Sequence, residues 1–186
     1  MPIYFGIYFF GIESFLSFYE GFVLFSLILL SLNSLLVTKI LRSLSPWTDL
    51  PVRTYNIIGI LYLLNSLHHE GMQWAVAQCT FLSHTFSLVG VLCAIKFLLN
   101  NKKVFAIITA ATIPLSSFTY GNGLATVAFL FIVTTYSYII NKNINIKKVV
   151  TLLSFIIIAT ILTALIYLGH SEGTGHTSLL FNKSGI

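Results

Sequence analysis

A polytopic bundle of membrane-spanning α-helices, six or seven in number, is the fold class this sequence predicts. Three observations predict it. The 186 residues are 56% hydrophobic and only 8% charged, with a mean hydropathy of +0.91, whereas a soluble domain carries about 25% charged residues. So few charges cannot cover a water-facing surface, and most of the exterior must face lipid. The apolar residues gather into runs of about bilayer length. The basic residues lie in the short connectors between those runs.

An apolar helix needs about 20 residues to cross a bilayer, with about 17–25 tolerated. By that measure the sequence predicts helices at 3–19, 21–41, 54–67, 75–95, 104–121, 123–140 and 148–168, all within one transmembrane domain covering 1–186. The first two are divided only by the step Glu20-Gly21, so an irregular path through 3–41 reduces the count to six. The third is short, which suits a tilted, interfacial or re-entrant segment. No internal repeat and no low-complexity linker interrupts the series. The amino end has no basic residue ahead of its apolar run and no small-residue cleavage site, so it does not read as a signal peptide. It begins abruptly, and "SLLFNKSGI" closes as another apolar run starts, from which we expect a piece of a larger protein.

Cationic residues concentrate in cytoplasmic connectors. Placing "TKILRSLSPWTDLPVRTY" inside and alternating the spans puts nine of the ten basic residues inside: Lys39, Arg42, Arg53, Lys96, Lys102, Lys103, Lys142, Lys147 and Lys148. Only Lys183 falls outside, while Glu13, Glu20, Glu70 and Glu172 fall on or near the outer side. Residues 100–103 and 141–148 are then cytoplasmic, and 68–74, 120–123 and 169–178 extracytoplasmic. The +5 net charge therefore reports topology and not nucleic acid.

The same pattern resolves "PLSSFTYGNGLATVAFLF", residues 114–131. The segment 104–140 spans about 55 Å as one straight helix, far more than a bilayer. Both of its flanks are lysine-rich and belong inside, so it must be a hairpin of two helices turning near Gly121–Gly123. Glycine permits positive φ there and asparagine tolerates the left-handed region. Pro114 is expected to kink the first arm or shift its register. Cys79 and Cys93, fourteen residues apart in one run, stand about 21 Å apart along a helix, beyond disulfide reach. They are expected to be packing residues.

Three polar segments converge on the outer side: "HHEGMQW", "SSFTYGNG" and "GHSEGTGHTS". They form either a vestibule or ordinary polar loops with Trp74 and Tyr120 as interface anchors. His68, His69, His170 and His176 with Glu70 and Glu172 match no zinc spacing, and no metal site or cofactor is expected. In the fourth run Gln73, Thr80, His84 and Ser87 stand at offsets 0, 7, 11 and 14, one helical face. His84 lies near mid-membrane, where polar groups face a cavity or a neighbouring helix. Glu13 and Glu20, seven apart, share a face as well. "GHSEG" resembles a nucleophile elbow but lacks the strand–turn–helix setting that motif needs.

"SSFTYGNGLATVAFLFIV" resembles a Ser-x-x-x-Gly-Asn-Gly-Leu segment of large uncharacterised bacterial polytopic membrane proteins, and "HHEGMQWAVAQ" resembles the polar acidic turn and Trp/Gln-containing helix start one hairpin earlier in them. Those proteins are similar in layout to the GT-C type of membrane glycosyltransferases, and the resemblance covers about residues 55–186. It implies a bacterial inner-membrane protein that transfers sugar from a polyprenyl-phosphate carrier on the outer face. Family members use an acidic residue of an early outer loop as base. Only Glu13 and Glu20 stand early enough, and the long early loop is missing. The resemblance makes Glu20 and Glu70 the catalytic candidates, since general-base chemistry needs a carboxylate beside the accepting hydroxyl. It makes Trp74, His84, Tyr120 and Asn122 the substrate-binding candidates. The alternative is a non-enzymatic transporter fragment or assembly partner in which the His84 stripe joins helices.

Overall fold

The structure, a computed structural model, describes residues 18–45, 51–64, 75–120, 123–141 and 143–174, and these contain six α-helices. They are α1 (Phe18–Leu44), α2 (Val52–Leu63), α3 (Ala75–Asn100), α4 (Lys103–Tyr120), α5 (Gly123–Ile140) and α6 (Ile146–Thr174). Three of them contain spans long and apolar enough to cross a membrane: Val23–Leu44, Cys79–Asn100 and Ile146–Leu168. The arms α4 and α5, eighteen residues each, rise about 27 Å, close to the roughly 30 Å of a bilayer's hydrocarbon.

The polarity of the bundle is inverted relative to a soluble domain. Large apolar side chains face outward, among them Leu124 at 81%, Ile139 at 67% and Leu165 at 60% exposure. Small polar groups are enclosed: Asn33, Ser83, Thr109, Ser116, Thr134 and Ser137 are all fully buried. In water that exterior would be strongly unfavourable, whereas against lipid it costs nothing. This chain is a membrane protein.

Helix α3 is the axis of the bundle and packs on α1, α4, α5 and α6, most extensively on α4. Val91, Leu92, Cys93, Ala94 and Ile95 are buried in succession. Five consecutive helical residues point in every direction, so α3 is covered all round at this level. Leu36 and Ile40 of α1, Ala106 and Ile113 of α4, Leu130 of α5, and Val149, Leu152 and Ile156 of α6 close the core around it. Cys93 is one of these packing residues, and Cys79 and Cys93 are both free thiols.

The turns follow from their residues. α3 ends where Asn101 takes φ 56° and returns its N–H to the Phe97 carbonyl at 2.8 Å. This is the left-handed terminator that asparagine supplies after glycine. Between α5 and α6, Asn141 Oδ1 accepts the N–H of Asn143 at 3.1 Å, and Asn145 Oδ1 accepts that of Lys147 at 2.9 Å. The second contact is an N-cap on α6. Ile144 between them is buried and anchors the turn to the core. α4 ends at Tyr120 and α5 begins at Gly123, so the two form the expected antiparallel hairpin. α4 stays helical through Pro114, although proline has no N–H to give the carbonyl one turn back.

Several boundaries differ from expectation. α3 runs on to Asn100, past its expected end at 95. The break at Glu20-Gly21 is absent, because α1 begins at Phe18 and passes through both residues. Glu20 and Gly21 are both helical, and Gly21 meets open space. Most of the run expected at 3–19 lies outside the described residues. α6 continues past Leu168 to Thr174, so part of the expected outer tail is helix. α2 has only twelve residues, about 18 Å. Its Tyr62 and Leu63 pack on Leu29, Leu30 and Phe81, so it stops on the order of 15 Å short of the level at which α1 starts. Gly59 fixes its approach to α1. A Cβ there would strike Thr38 Oγ1, and the Gly59 carbonyl accepts the Ser34 hydroxyl at 2.6 Å.

Candidate functional site

Two polar or concave features stand out. The first is a hydroxyl- and amide-rich seam on the half of α3 nearer the α4–α5 turn. Asn33 of α1 donates through Nδ2 to the Phe81 carbonyl at 3.1 Å. The Thr85 hydroxyl lies 2.7 Å from Asn33 Oδ1 and 2.9 Å from the Phe81 carbonyl, its single proton shared between them. Ser83 donates to the Ser116 carbonyl of α4 at 3.1 Å. Ser87 Oγ and Thr126 Oγ1 of α5 lie 2.6 Å apart, one hydroxyl donating to the other. Further along, Thr109 Oγ1 lies 3.2 Å from the Gly90 carbonyl, and Thr112 sits where a Gly90 side chain would be. Three polar groups of α3 are thus engaged by three different neighbours: Thr85 by α1, Ser83 by α4, Ser87 by α5. His84, half-buried, stands about 100° round the helix from Ser83 and from Thr85.

The second feature is a cleft of about 420 Å³ between α4, α5 and α6 at the end where α4 meets α5. Ile113 and Ser117 form its α4 wall and Leu124 and Val127 its α5 wall, while Thr160, Thr163, Ala164, Tyr167 and Leu168 close it from α6. Leu124, Tyr167 and Leu168 are exposed, so the cleft opens sideways on the apolar exterior. Three of its four hydroxyls, those of Ser117, Thr160 and Thr163, are turned back on their own helices, and the fourth is the phenol of the exposed Tyr167. Ser117 donates to Ile113 O at 2.8 Å, Thr160 to Ile156 O at 2.7 Å and Thr163 to Ala159 O at 2.7 Å. Such back-bonding leaves those three no free proton to offer a ligand, and the mostly apolar lining suits an apolar occupant.

Of the catalytic and substrate-binding candidates, His84 alone has a described side chain, on α3 between Ser83 and Thr85. Thr80 and Ser87 of its stripe are half-buried beside it. Glu20 and Tyr120 are placed by their backbones, at the first turn of α1 and the last residue of α4, and their side chains are not described. Glu70, Trp74 and Asn122 lie outside the described residues, as do Glu13, His68, His69, Gln73 and His176. The α4–α5 hairpin does bring Tyr120 to the cleft end of the bundle. No group of three metal-ligating side chains gathers among the described residues.

Sequence reasoning missed Asn33, the one amide in a 21–41 run that is otherwise apolar apart from its serines, its threonine and Lys39 near its end. Its isolation was the available signal, since an amide at mid-membrane needs a partner. The cleft carried no signal of its own. No protein-family model, no curated protein and no solved structure matches this chain.

Proposed function

We propose that this protein is a multi-pass membrane protein with its lysine-rich end in the cytoplasm, and that the α4–α5–α6 cleft holds the apolar chain of a lipid-linked substrate. The observation that carries the reading is the cleft itself. It opens on the lipid-facing exterior, has its serine and threonine hydroxyls bonded back to their own helices, and lies next to the hairpin turn whose sequence resembles that of polyprenyl-phosphate-dependent sugar transferases. A carrier lipid entering from the bilayer would leave its phosphate and sugar at the polar outer end, the side to which the charge pattern of the sequence assigns Glu20, Glu70, Tyr120 and Asn122. The sugar-transfer step rests on the sequence resemblance, and the inner membrane of a bacterium on the same ground.

The test is surface glycan in cells that carry the full-length protein. Ala164→Trp fills the cleft and is expected to lower the glycan at least about tenfold, the effect of about 1.4 kcal/mol of lost binding. Glu20→Gln, Glu70→Gln and Asn122→Ala are expected to lower it too. Unchanged glycan in all four at normal membrane levels would sink the transferase reading.

A second reading is a non-enzymatic assembly or transport partner. It is favoured by the seam, whose hydroxyls and amide join α3 to α1, α4 and α5 and are not spent on the cleft. Orientation is tested independently. With Cys79 and Cys93 changed to serine, a cysteine at position 122 should react with an impermeant maleimide in intact cells, and one at 102 should not. The reverse labelling would overturn the assignment.

A further inference from the structure

The end of the bundle opposite the cleft carries a feature that substrate binding does not use. α1 ends there, α2 begins, and the α3–α4 and α5–α6 turns meet. The side chains described at or near this end include Lys39, Arg42, Arg53, Lys96, Lys102, Lys103, Lys147 and Lys148, and no carboxylate. Asp49, the single acid in the connectors of this end, lies outside the described residues. Three of the cations are occupied within the fold: Arg42 Nη2 donates to Asn56 Oδ1 at 2.7 Å, and Lys148 and Lys96 are held as well. Lys148 Nζ donates to the Leu98 carbonyl at 3.3 Å, and Lys96 Nζ stands 5.7 Å from the centroid of the Phe105 ring. The Lys148 contact sets the first turn of α6 against the last turn of α3, which brings the α3–α4 and α5–α6 turns side by side. Lys102, Lys103 and Lys147 are exposed on those two turns.

Four of these lysines stand at helix starts, 102 and 103 at α4, 147 and 148 at α6. The dipole there already presents positive charge, and neither first turn contains an acid. Like charges gathered at a positive pole repel one another unless an anion lies among them. Here an anion is supplied by position: the turns lie at the membrane surface, level with lipid headgroups. We propose that Lys102, Lys103 and Lys147 form a binding surface for the phosphate groups of anionic lipids in the leaflet that this end of the bundle meets. Lysine ammonium groups near a membrane surface attract anionic headgroups additively and within a Debye length. The proposal concerns the lysine-rich end whichever side of the membrane it faces, and it stands or falls apart from the cleft.

The test is the association of spin-labelled phosphatidylglycerol and phosphatidylcholine with the purified full chain in vesicles of neutral lipid at low salt. A preference for phosphatidylglycerol of about fivefold or more, one lysine's worth, is expected for the natural protein, and it should shrink at 1 M salt. In K102Q/K103Q/K147Q it should fall toward unity. K102R/K103R/K147R should keep it, which separates charge from misfolding. Equal association of the two lipids with the natural protein would overturn the proposal, as would an undiminished preference in the glutamine variant. Inorganic phosphate should displace phosphatidylglycerol no better than chloride at equal ionic strength. Specific displacement by phosphate would mean that the surface takes the free ion, and would overturn the headgroup assignment.

Discussion

Replacing Gly90 by alanine is expected to destabilise the bundle by about 1–3 kcal/mol, the usual cost of forcing a methyl group into a packed interior. The new Cβ would run into Thr112 Oγ1 and stand 3.3 Å from Thr112 Cβ. Thr112 cannot swing away freely, because it is buried and donates to the Thr109 carbonyl at 2.7 Å. The helices must therefore part, at the point where α3 and α4 pack most extensively. Parting them also stretches the contact from Thr109 Oγ1 to the Gly90 carbonyl. The internal control is Gly21→Ala. Nothing lies within 4 Å of a Cβ there, and alanine in a helix is favoured over glycine by about 0.5–1 kcal/mol, so this variant should be neutral or slightly more stable. Unfolding midpoints of the two variants in one detergent make the comparison. Equal midpoints would contradict the close α3–α4 approach.

Asn33→Ala is the second large effect. The substitution removes the amide that bridges α1 to both the Phe81 carbonyl and the Thr85 hydroxyl, and leaves a void at a fully buried position. Interhelical hydrogen bonds in membranes contribute about 0.6 kcal/mol on average and up to about 1.7. With the void added, a loss of about 1–3 kcal/mol is expected. Thr85→Ala should cost less, because the Asn33 amide keeps its donor bond to Phe81. Asn33→Ala combined with Thr85→Ala should cost less than the sum of the two, since both remove the same contact. A strictly additive double variant would show that the two side chains do not interact.

These results bear on how much of the fold was legible beforehand. The α4–α5 hairpin could be read because length and charge agree: lysines flank an apolar run too long for one crossing and too polar at its middle to be unbroken. The step at Glu20-Gly21 was misread because a glutamate and a glycine look like a boundary, yet the helix runs through both and a glycine that meets open space is tolerated there. The seam was half legible. Thr80, His84 and Ser87 mark one face, but Ser83 and Thr85 point elsewhere, and they matter because α3 is covered all round. Periodicity reports a preferred face and is silent about a helix that has none. The cleft was invisible for a different reason. Its walls are leucine, isoleucine, valine, alanine, a tyrosine and back-bonded hydroxyls, and most of the same residue types face lipid along α6.

The central position of α3 also sets an order of events during synthesis. α1 and α3 leave the ribosome before α4 and α5, so Asn33 and Thr85 can pair as soon as both helices are in the bilayer. Ser87 must wait for Thr126, thirty-nine residues later in the chain. At about 5–20 residues per second that interval is on the order of 2–8 s. During it the Ser83–Ser87–Gly90 edge of α3 borders lipid or the insertion machinery, with its hydroxyls turned to its own backbone, as Ser87 still is toward the Ser83 carbonyl. Arrival of the hairpin is then the step that closes the bundle, and a ribosome stalled between the two would leave an unfinished half with its polar edge open to any helix nearby.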